Sequence, residues 1–240
     1  MPYYYYGFDW TYLVLVLPCM IFAMIASSSV NSTFKKYSTQ YSQRRLTGAD
    51  AAQRVLYANG VHGVRIERIS GNLTDHYDPK ANVIRLSDSV YSSTSTAAIG
   101  VACHEAGHAV QYAQNYAPIK LRAAIIPLTN FGSKLAMPLI LLGIVCTFLG
   151  ELSMVLVYLG IAAFGLSFIF QLITLPVEFN ASRRAIRAIE EGNILTPDEQ
   201  QGAKKTLQAA AMTYVAATAT ALAQLLRLII LFGGGRRRRN

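Results

Sequence analysis

The sequence predicts an α+β membrane protein, in which transmembrane helices accompany a small polar domain with a short sheet. Of its 240 residues, 52% are hydrophobic and only 15% are charged, whereas about a quarter are charged in a typical soluble domain. Several apolar runs are long enough to span a bilayer. A polar section between them contains two strand-like segments and an Ala-rich helical segment with the sequence HEAGH.

The first segment, residues 1–30, is predicted to be an N-terminal transmembrane helix. Its apolar run covers residues 12–30, and the tyrosines at positions 3–6 and Trp10 are typical of a membrane interface. A cleaved signal peptide is the alternative, but no positively charged region precedes the run. Basic residues follow between positions 35 and 45, which places the next section in the cytoplasm by the positive-inside rule.

Residues 31–127 are predicted to form the catalytic region at the cytoplasmic face. Residues 47–58 begin with a capping sequence, TGAD, and are expected to form a helix. Residues 64–69 alternate apolar and charged side chains as a half-buried strand does, and residues 82–86 form a second short strand. The segment between them, GNLTDHYDP at 71–79, is dense in turn formers. The HEAGH helix follows.

A transmembrane hairpin is predicted over residues 128–174, from an apolar run at 135–149 and a second at 152–173. The short turn at Glu151 lies on the outer side, so the chain returns to the cytoplasmic side. Residues 175–205 are then expected to contain a helix that begins after a proline.

The last segment, residues 206–240, is predicted to be a C-terminal helix with a basic tail. Its apolar part, residues 206–232, either spans the membrane or lies at the interface. We favour the interface, because the arginines at 236–239 then stay inside and contact anionic lipids. Contacts with anionic lipids and the positive-inside rule thereby explain the net charge of +9. Nucleic acid is not an expected partner, because basic and aromatic residues are not interleaved.

The HEAGH motif predicts a zinc site. His104 and His108 lie one helical turn apart on the same face and can bind one zinc ion, while Glu105 can take a proton from the metal-bound water. The plainer alternative is a helix with two packed histidines and a surface glutamate.

A catalytic zinc usually has three protein ligands and one open position. The chain has four histidines, so the third ligand is His62, His76 or a carboxylate, of which we favour Glu178. Taken alone, a glutamate at a helix start is better explained by the helix dipole. Cys103 points about 100° away from the histidine face and is a poor ligand. The odd cysteine count predicts no disulfide.

Three stretches together carry a resemblance to known families. HEAGH, a membrane hairpin and then EFNASRRA resemble the membrane-bound gluzincins, including the HtpX-type and CAAX-prenyl endopeptidases. More closely, GNLTDHYDP, IGVACHEAGHAVQ and LPVEFNASRRA are similar to the YugP-type neutral zinc metallopeptidases. The resemblance covers most of the chain and implies that Glu178 is the third zinc ligand. HtpX-type enzymes have an Asp four residues later, where this chain has Ser182. A carboxylate that orients a ligand histidine is therefore expected to be absent or to come from elsewhere.

The expected function is that of a multi-pass zinc-dependent endopeptidase of the cell membrane. It would hydrolyse peptide bonds with a zinc-activated water, using Glu105 as general base. Four candidates for stabilising the oxyanion stay open: His76, Tyr77, Arg184 and Tyr214. The HtpX-type resemblance implies membrane or misfolded proteins as substrates, paired as an extended strand along residues 71–79. The alternatives are a non-catalytic zinc-binding scaffold and a lipid-sensing protein with a chance motif. The sequence makes no prediction of oligomeric state.

Overall fold

The computed structural model describes residues 9–233 and confirms the α+β membrane fold class. The tyrosines at 3–6 and the arginines at 236–239, to which interface and lipid roles were assigned, lie outside the described residues. The elements are, in chain order, α1 (Leu17–Tyr37, after a π-helical turn Tyr12–Val16), α2 (Gly48–Ala58), β1 (Arg65–Ile69), β2 (His76–Asp78), β3 (Val83–Ser87), α3 (Thr96–Ala113), α4 (Ala117–Val145), α5 (Glu151–Glu191) and α6 (Pro197–Gly233).

The chain divides into two compact units. The helical unit comprises residues 9–25, Leu121–Thr174 and residues 214–233, and the mixed unit comprises Ala26–Lys120 and Leu175–Thr213. Four helices of the described chain are long and apolar enough to cross a membrane: α4, α5, α6 and the helix Tyr12–Tyr37. Since α6 is among them, its composition permits the spanning alternative as well as the interfacial one.

Within the helical unit, α4 and α5 approach closely at small residues. A Cβ added to Gly160 would lie 2.7 Å from the Ala136 carbonyl oxygen, and one added to Gly143 would lie 2.5 Å from that of Ser153. Small residues let helix backbones approach in this way in membrane proteins. In the same unit, the charged side chain of Arg227 in α6 has a partner, because it donates hydrogen bonds to the Asp9 carboxylate. Burial of a charge among apolar helices requires such a partner.

The long helices run further than the sequence predicted: α1 ends at Tyr37 rather than at position 30, and α6 begins at Pro197 rather than at position 206. The helix α4 begins at Ala117, well before the apolar run at 135–149, and contains two prolines. The helix α5 continues without interruption through Pro176, so the prediction of a separate helix beginning after this proline is wrong. A proline removes one backbone donor from a helix. Helices of the membrane type tolerate that loss because neighbouring groups satisfy the freed carbonyl.

The sheet of the mixed unit has the order β1–β3–β2. The strands β1 and β3, both predicted from the sequence, pair in parallel, and β2 pairs antiparallel to β3. The sequence did not predict β2, which lies in the segment dense in turn formers. The predicted N-terminus of α2 is confirmed, since the Thr47 hydroxyl accepts from the Asp50 N–H at 3.1 Å and the Asp50 carboxylate accepts from the Thr47 N–H at 3.0 Å.

The core of the mixed unit surrounds α3, which packs against α2 and against the strands β2 and β3. Glycines bring this helix close to its neighbours. A Cβ on Gly100 would lie 3.1 Å from Ala203, and one on Gly107 would lie 2.8 Å from the Ala181 carbonyl oxygen of α5. Close packing at Gly107 therefore sets the distance between the HEAGH helix and α5, and close packing at Gly100 sets its distance from the start of α6.

Candidate metal centre

Three side chains from α3 and α5 meet in the mixed unit. One ligand atom from each of His104, His108 and Glu178 lies within 4.8 Å of the other two. The Oε2 atom of Glu178 is 3.2 Å from Nε2 of His104 and 3.4 Å from Nε2 of His108. The two rings are edge to face, with centroids 4.7 Å apart, as the spacing of one helical turn requires.

The residues of this cluster fit a zinc ion. Two imidazole nitrogens and a carboxylate are a donor set that zinc uses in catalytic sites. Glu178 is only 2% exposed, and a buried carboxylate requires a cationic partner. Burial by itself would lower the pKa of His108, but the hydrogen bond and charge of Glu178 raise it above its ordinary value. The centre therefore attracts a cation.

The other candidates for the third ligand have different surroundings. The His62 ring lies 5.9 Å from the Tyr57 ring. The His76 side chain is exposed, with Nδ1 2.9 Å from the Thr74 carbonyl oxygen. Cys103 is fully buried, and burial raises the pKa of its thiol. Among residues 9–233, only His104, His108 and Glu178 form a group that could hold a metal ion.

The buried side chain of Gln111 orients His108. Its Nε2 donates to the Val177 carbonyl oxygen at 2.8 Å and to Asn180 Oδ1 at 2.9 Å. Because a backbone carbonyl only accepts hydrogen bonds, the Gln111 amide has one possible orientation, with Oε1 3.0 Å from Nδ1 of His108. Nδ1 must then carry the proton, which leaves the Nε2 lone pair free for a metal. The same amide joins α3 to the backbone next to Glu178.

His104 is oriented by Ser182, the residue at which this chain departs from the HtpX-type pattern. The hydroxyl Oγ of Ser182 lies 3.1 Å from Nδ1 of His104. When Nδ1 donates to this oxygen, Nε2 on the Glu178 side of the ring carries the lone pair and can bind a metal ion. A neutral hydroxyl at the expected position therefore contacts the ligand histidine where the related pattern has a carboxylate.

Glu105 has a carboxylate with no assigned partner. The residue is 9% exposed, and it makes no hydrogen bond or ion pair with any other residue in the described part of the chain. Its negative charge contributes to the raised pKa of both His108 and Asp75, so it lies close to the cluster. An unpaired carboxylate in this position is free to accept a proton from a water molecule.

The four oxyanion candidates have varied surroundings, and all stay predictions. The Tyr77 hydroxyl donates a hydrogen bond to Oδ1 of Asn82 at 2.9 Å. Two nitrogens of Arg184 donate to Asn180 at 2.7 Å and to Gln114 at 2.6 Å. His76, described above, lies on β2. Tyr214 lies on α6 in the helical unit.

Asp75 fixes the segment before β2. Its carboxylate accepts from the N–H of Ser87 at 2.7 Å and from the Ser87 hydroxyl at 2.9 Å. Burial raises the pKa of this carboxyl above its ordinary value, against the effect of these hydrogen bonds and with a contribution from Glu105. These hydrogen bonds hold the residue before β2 against the last residue of β3.

Sequence reasoning missed the residues that orient the ligands. Gln111 lies three positions after His108 and Ser182 four positions after Glu178, which are the spacings at which helix side chains are neighbours. That spacing was the available signal. Neither residue type is itself a metal ligand of note, and their roles depend on how α3 and α5 pack.

Comparisons with known proteins agree with the geometry. A family model described as "Putative neutral zinc metallopeptidase" matches residues 12–233. The chain is 44% identical over 219 residues to the "Putative membrane protease YugP" of Bacillus subtilis (strain 168), which covers 91% of this chain and 95% of that protein. No solved structure matches.

Proposed function

Because the chain belongs to the family described as "Putative neutral zinc metallopeptidase", we propose that it is a zinc-dependent endopeptidase of the gluzincin type. One zinc ion would be held by His104, His108 and Glu178. The observation that carries this proposal is the convergence of these three ligand groups beside the unpaired carboxylate of Glu105.

The residues of the chain have distinct tasks in this mechanism. A bound zinc ion would polarise the scissile carbonyl and lower the pKa of water toward ~7. Glu105 accepts a proton from the attacking water and then passes it to the leaving amine. Gln111 and Ser182 keep the two imidazoles in the tautomer that binds metal.

The proposed substrate is a polypeptide in extended conformation. The strand β2 is at the edge of the sheet, since in residues 9–233 it pairs only with β3, and α3 packs against it. An extended peptide could add to this edge and lie beside the HEAGH helix. The relative's description as a "Putative membrane protease" supports a substrate that is reached at the membrane. Membrane or misfolded proteins are the substrate class that the HtpX-type resemblance implies.

We place the enzyme in the cell membrane as a multi-pass protein with its active site on the cytoplasmic face. Within residues 9–233, four helices have the length and apolarity to cross a bilayer. Basic residues follow the first of them and accompany the segment after Glu178, which supports a cytoplasmic location by the positive-inside rule.

The test combines metal analysis with a Glu105→Gln variant of the purified full chain. The variant should retain zinc as the wild type does, while cleavage of an unfolded labelled protein falls by about 100-fold or more, the contribution expected of a general base. Glu190→Gln, an exposed change on α5, should leave cleavage unaffected. Wild-type protein that holds zinc but cleaves neither unfolded nor membrane substrates would instead support the scaffold alternative. Equal activity of the Glu105 variant and wild type would reject Glu105 as the base.

A further inference from the structure

A second site lies in the mixed unit, in a cavity of about 460 Å³ on the side of α5 that carries Arg184. This volume is within the range of about 300–1,000 Å³ typical of ligand pockets. Its lining residues are all polar or charged, and three of them are arginines: Arg183, Arg184 and Arg187. The single carboxylate of the lining belongs to Glu191.

The positive charge of this cavity exceeds the single negative charge of Glu191. None of the three arginines makes an ion pair with a described residue. Arg183 donates only to a backbone carbonyl, at 3.4 Å, and the guanidinium of Arg187 has no hydrogen-bond partner within residues 9–233. These two residues are four positions apart on one helix face, a spacing at which like charges repel and destabilise the helix. An anion between them would remove that repulsion.

The third guanidinium is held in place by neutral groups. Arg184 donates to Asn180 and to the Oε1 atom of Gln114, and its guanidinium carbon lies 6.0 Å from the centre of the Tyr116 ring. These contacts fix the side chain without neutralising its charge. They also orient the Gln114 amide, so that its NH₂ group is available to an incoming anion.

We propose that this cavity binds a phosphate group, either as free phosphate or as the headgroup of an anionic phospholipid. The planar fork of a guanidinium matches two oxygens of a tetrahedral phosphate. Three guanidinium groups around one cavity suit a phosphate, which offers several oxygens, better than a carboxylate, which offers two.

The site is connected to the metal centre by hydrogen bonds. Asn180 accepts from Arg184 at 2.7 Å and from Gln111 at 2.9 Å, and Gln111 contacts His108 at 3.0 Å. A phosphate that draws Arg184 toward itself weakens its bond to Asn180. Phosphate and zinc affinities are then linked, and each must change the other by the same factor.

The experiment uses the full chain in a detergent that contains no phosphorus. Phosphate binding is measured by phosphorus NMR on metal-stripped protein, so that phosphate cannot bind at zinc, and again on zinc-loaded protein. The double variant Arg183→Gln/Arg187→Gln removes two unpaired guanidinium groups. The matched control, Lys204→Gln/Lys205→Gln, removes the same charge from another part of the mixed unit. Circular dichroism and zinc content show that both variants are folded.

The arginine double variant should weaken phosphate binding about tenfold or more, because it loses two forked contacts, while the lysine variant should change it less than about twofold. A parallel arm measures retention of phosphatidylglycerol over phosphatidylcholine by native mass spectrometry. If the arginine variant loses lipid retention but keeps phosphate binding, the site binds a lipid headgroup. If it loses phosphate binding but keeps lipid retention, the site binds free phosphate. Equal effects of the two double variants, no binding by the wild type in either arm, or stronger competition by acetate than by phosphate would overturn the proposal.

Discussion

Replacing Gln111 with methionine should weaken zinc binding by about 10- to 100-fold, the range found when a residue that orients a metal ligand is lost. The change keeps the length of the side chain but removes three hydrogen bonds, of 2.8, 2.9 and 3.0 Å. The N–H of His108 would then be buried without a partner, which costs about 1–3 kcal/mol. Without zinc the ring can adopt the other tautomer, in which Nε2 donates to the Glu178 carboxylate 3.4 Å away, so this cost falls on the zinc-bound form. About 1.4 kcal/mol corresponds to a factor of ten in affinity, and the cost therefore agrees with the expected range.

The measurement is competition between metal-stripped protein and a chromophoric zinc chelator at constant pH. Gln114→Met is the matched control, because Gln114 is exposed and bonds to Arg184 rather than to a ligand. Its zinc affinity should stay within about twofold of wild type. If Gln111→Met impairs folding, Asn180→Ala serves as a second variant. It removes one hydrogen-bond partner of the Gln111 amide and should weaken zinc binding by a smaller factor. A folded Gln111 variant with wild-type zinc affinity would refute the orienting role.

Three further predictions concern the same unit. Gly107→Ala should lower the melting temperature, because its Cβ would lie 2.8 Å from the Ala181 carbonyl oxygen and overpacking of this kind costs about 1–3 kcal/mol; thermal unfolding of purified protein checks this. Ser182→Ala should weaken zinc binding about tenfold in chelator competition, since it removes the partner of His104. Asp75 has a raised pKa, so the stability linked to its protonation is present below its ordinary pKa and is lost as pH rises through its folded pKa. Asp75→Asn should therefore be more stable relative to wild type at neutral pH than at pH ~4, and an equal difference in melting temperature at both pH values would contradict this.

The sequence predicted those features that depend on local patterns. The capping residues around Thr47, the alternating side chains that predicted β1, and the spacing of His104 and His108 each act within a few residues. The structure contains the helix cap, the strand and the histidine pair. The likeness to known peptidases supplied Glu178, because no local rule connects it with a motif 74 residues earlier.

The features that the sequence did not predict depend on tertiary surroundings. The strand β2 has only three residues, and its neighbour β3 stabilises it against a turn-forming sequence. The continuity of α5 through Pro176 contradicts the usual effect of proline on a helix. The roles of Gln111 and Ser182 appear only when α3 and α5 lie side by side, since each residue bridges atoms that are distant in the sequence.

The separation of the metal ligands along the chain has a consequence during synthesis. A ribosome-bound chain that has emerged only as far as its two histidines offers an incomplete set of donors, because the carboxylate arrives 74 residues after His104, beyond the whole hairpin segment. Hydrolytic capacity would thus arise only after most of the polypeptide has been made. Under the proposed function, the chain would therefore have no complete zinc site while the hairpin segment is being inserted.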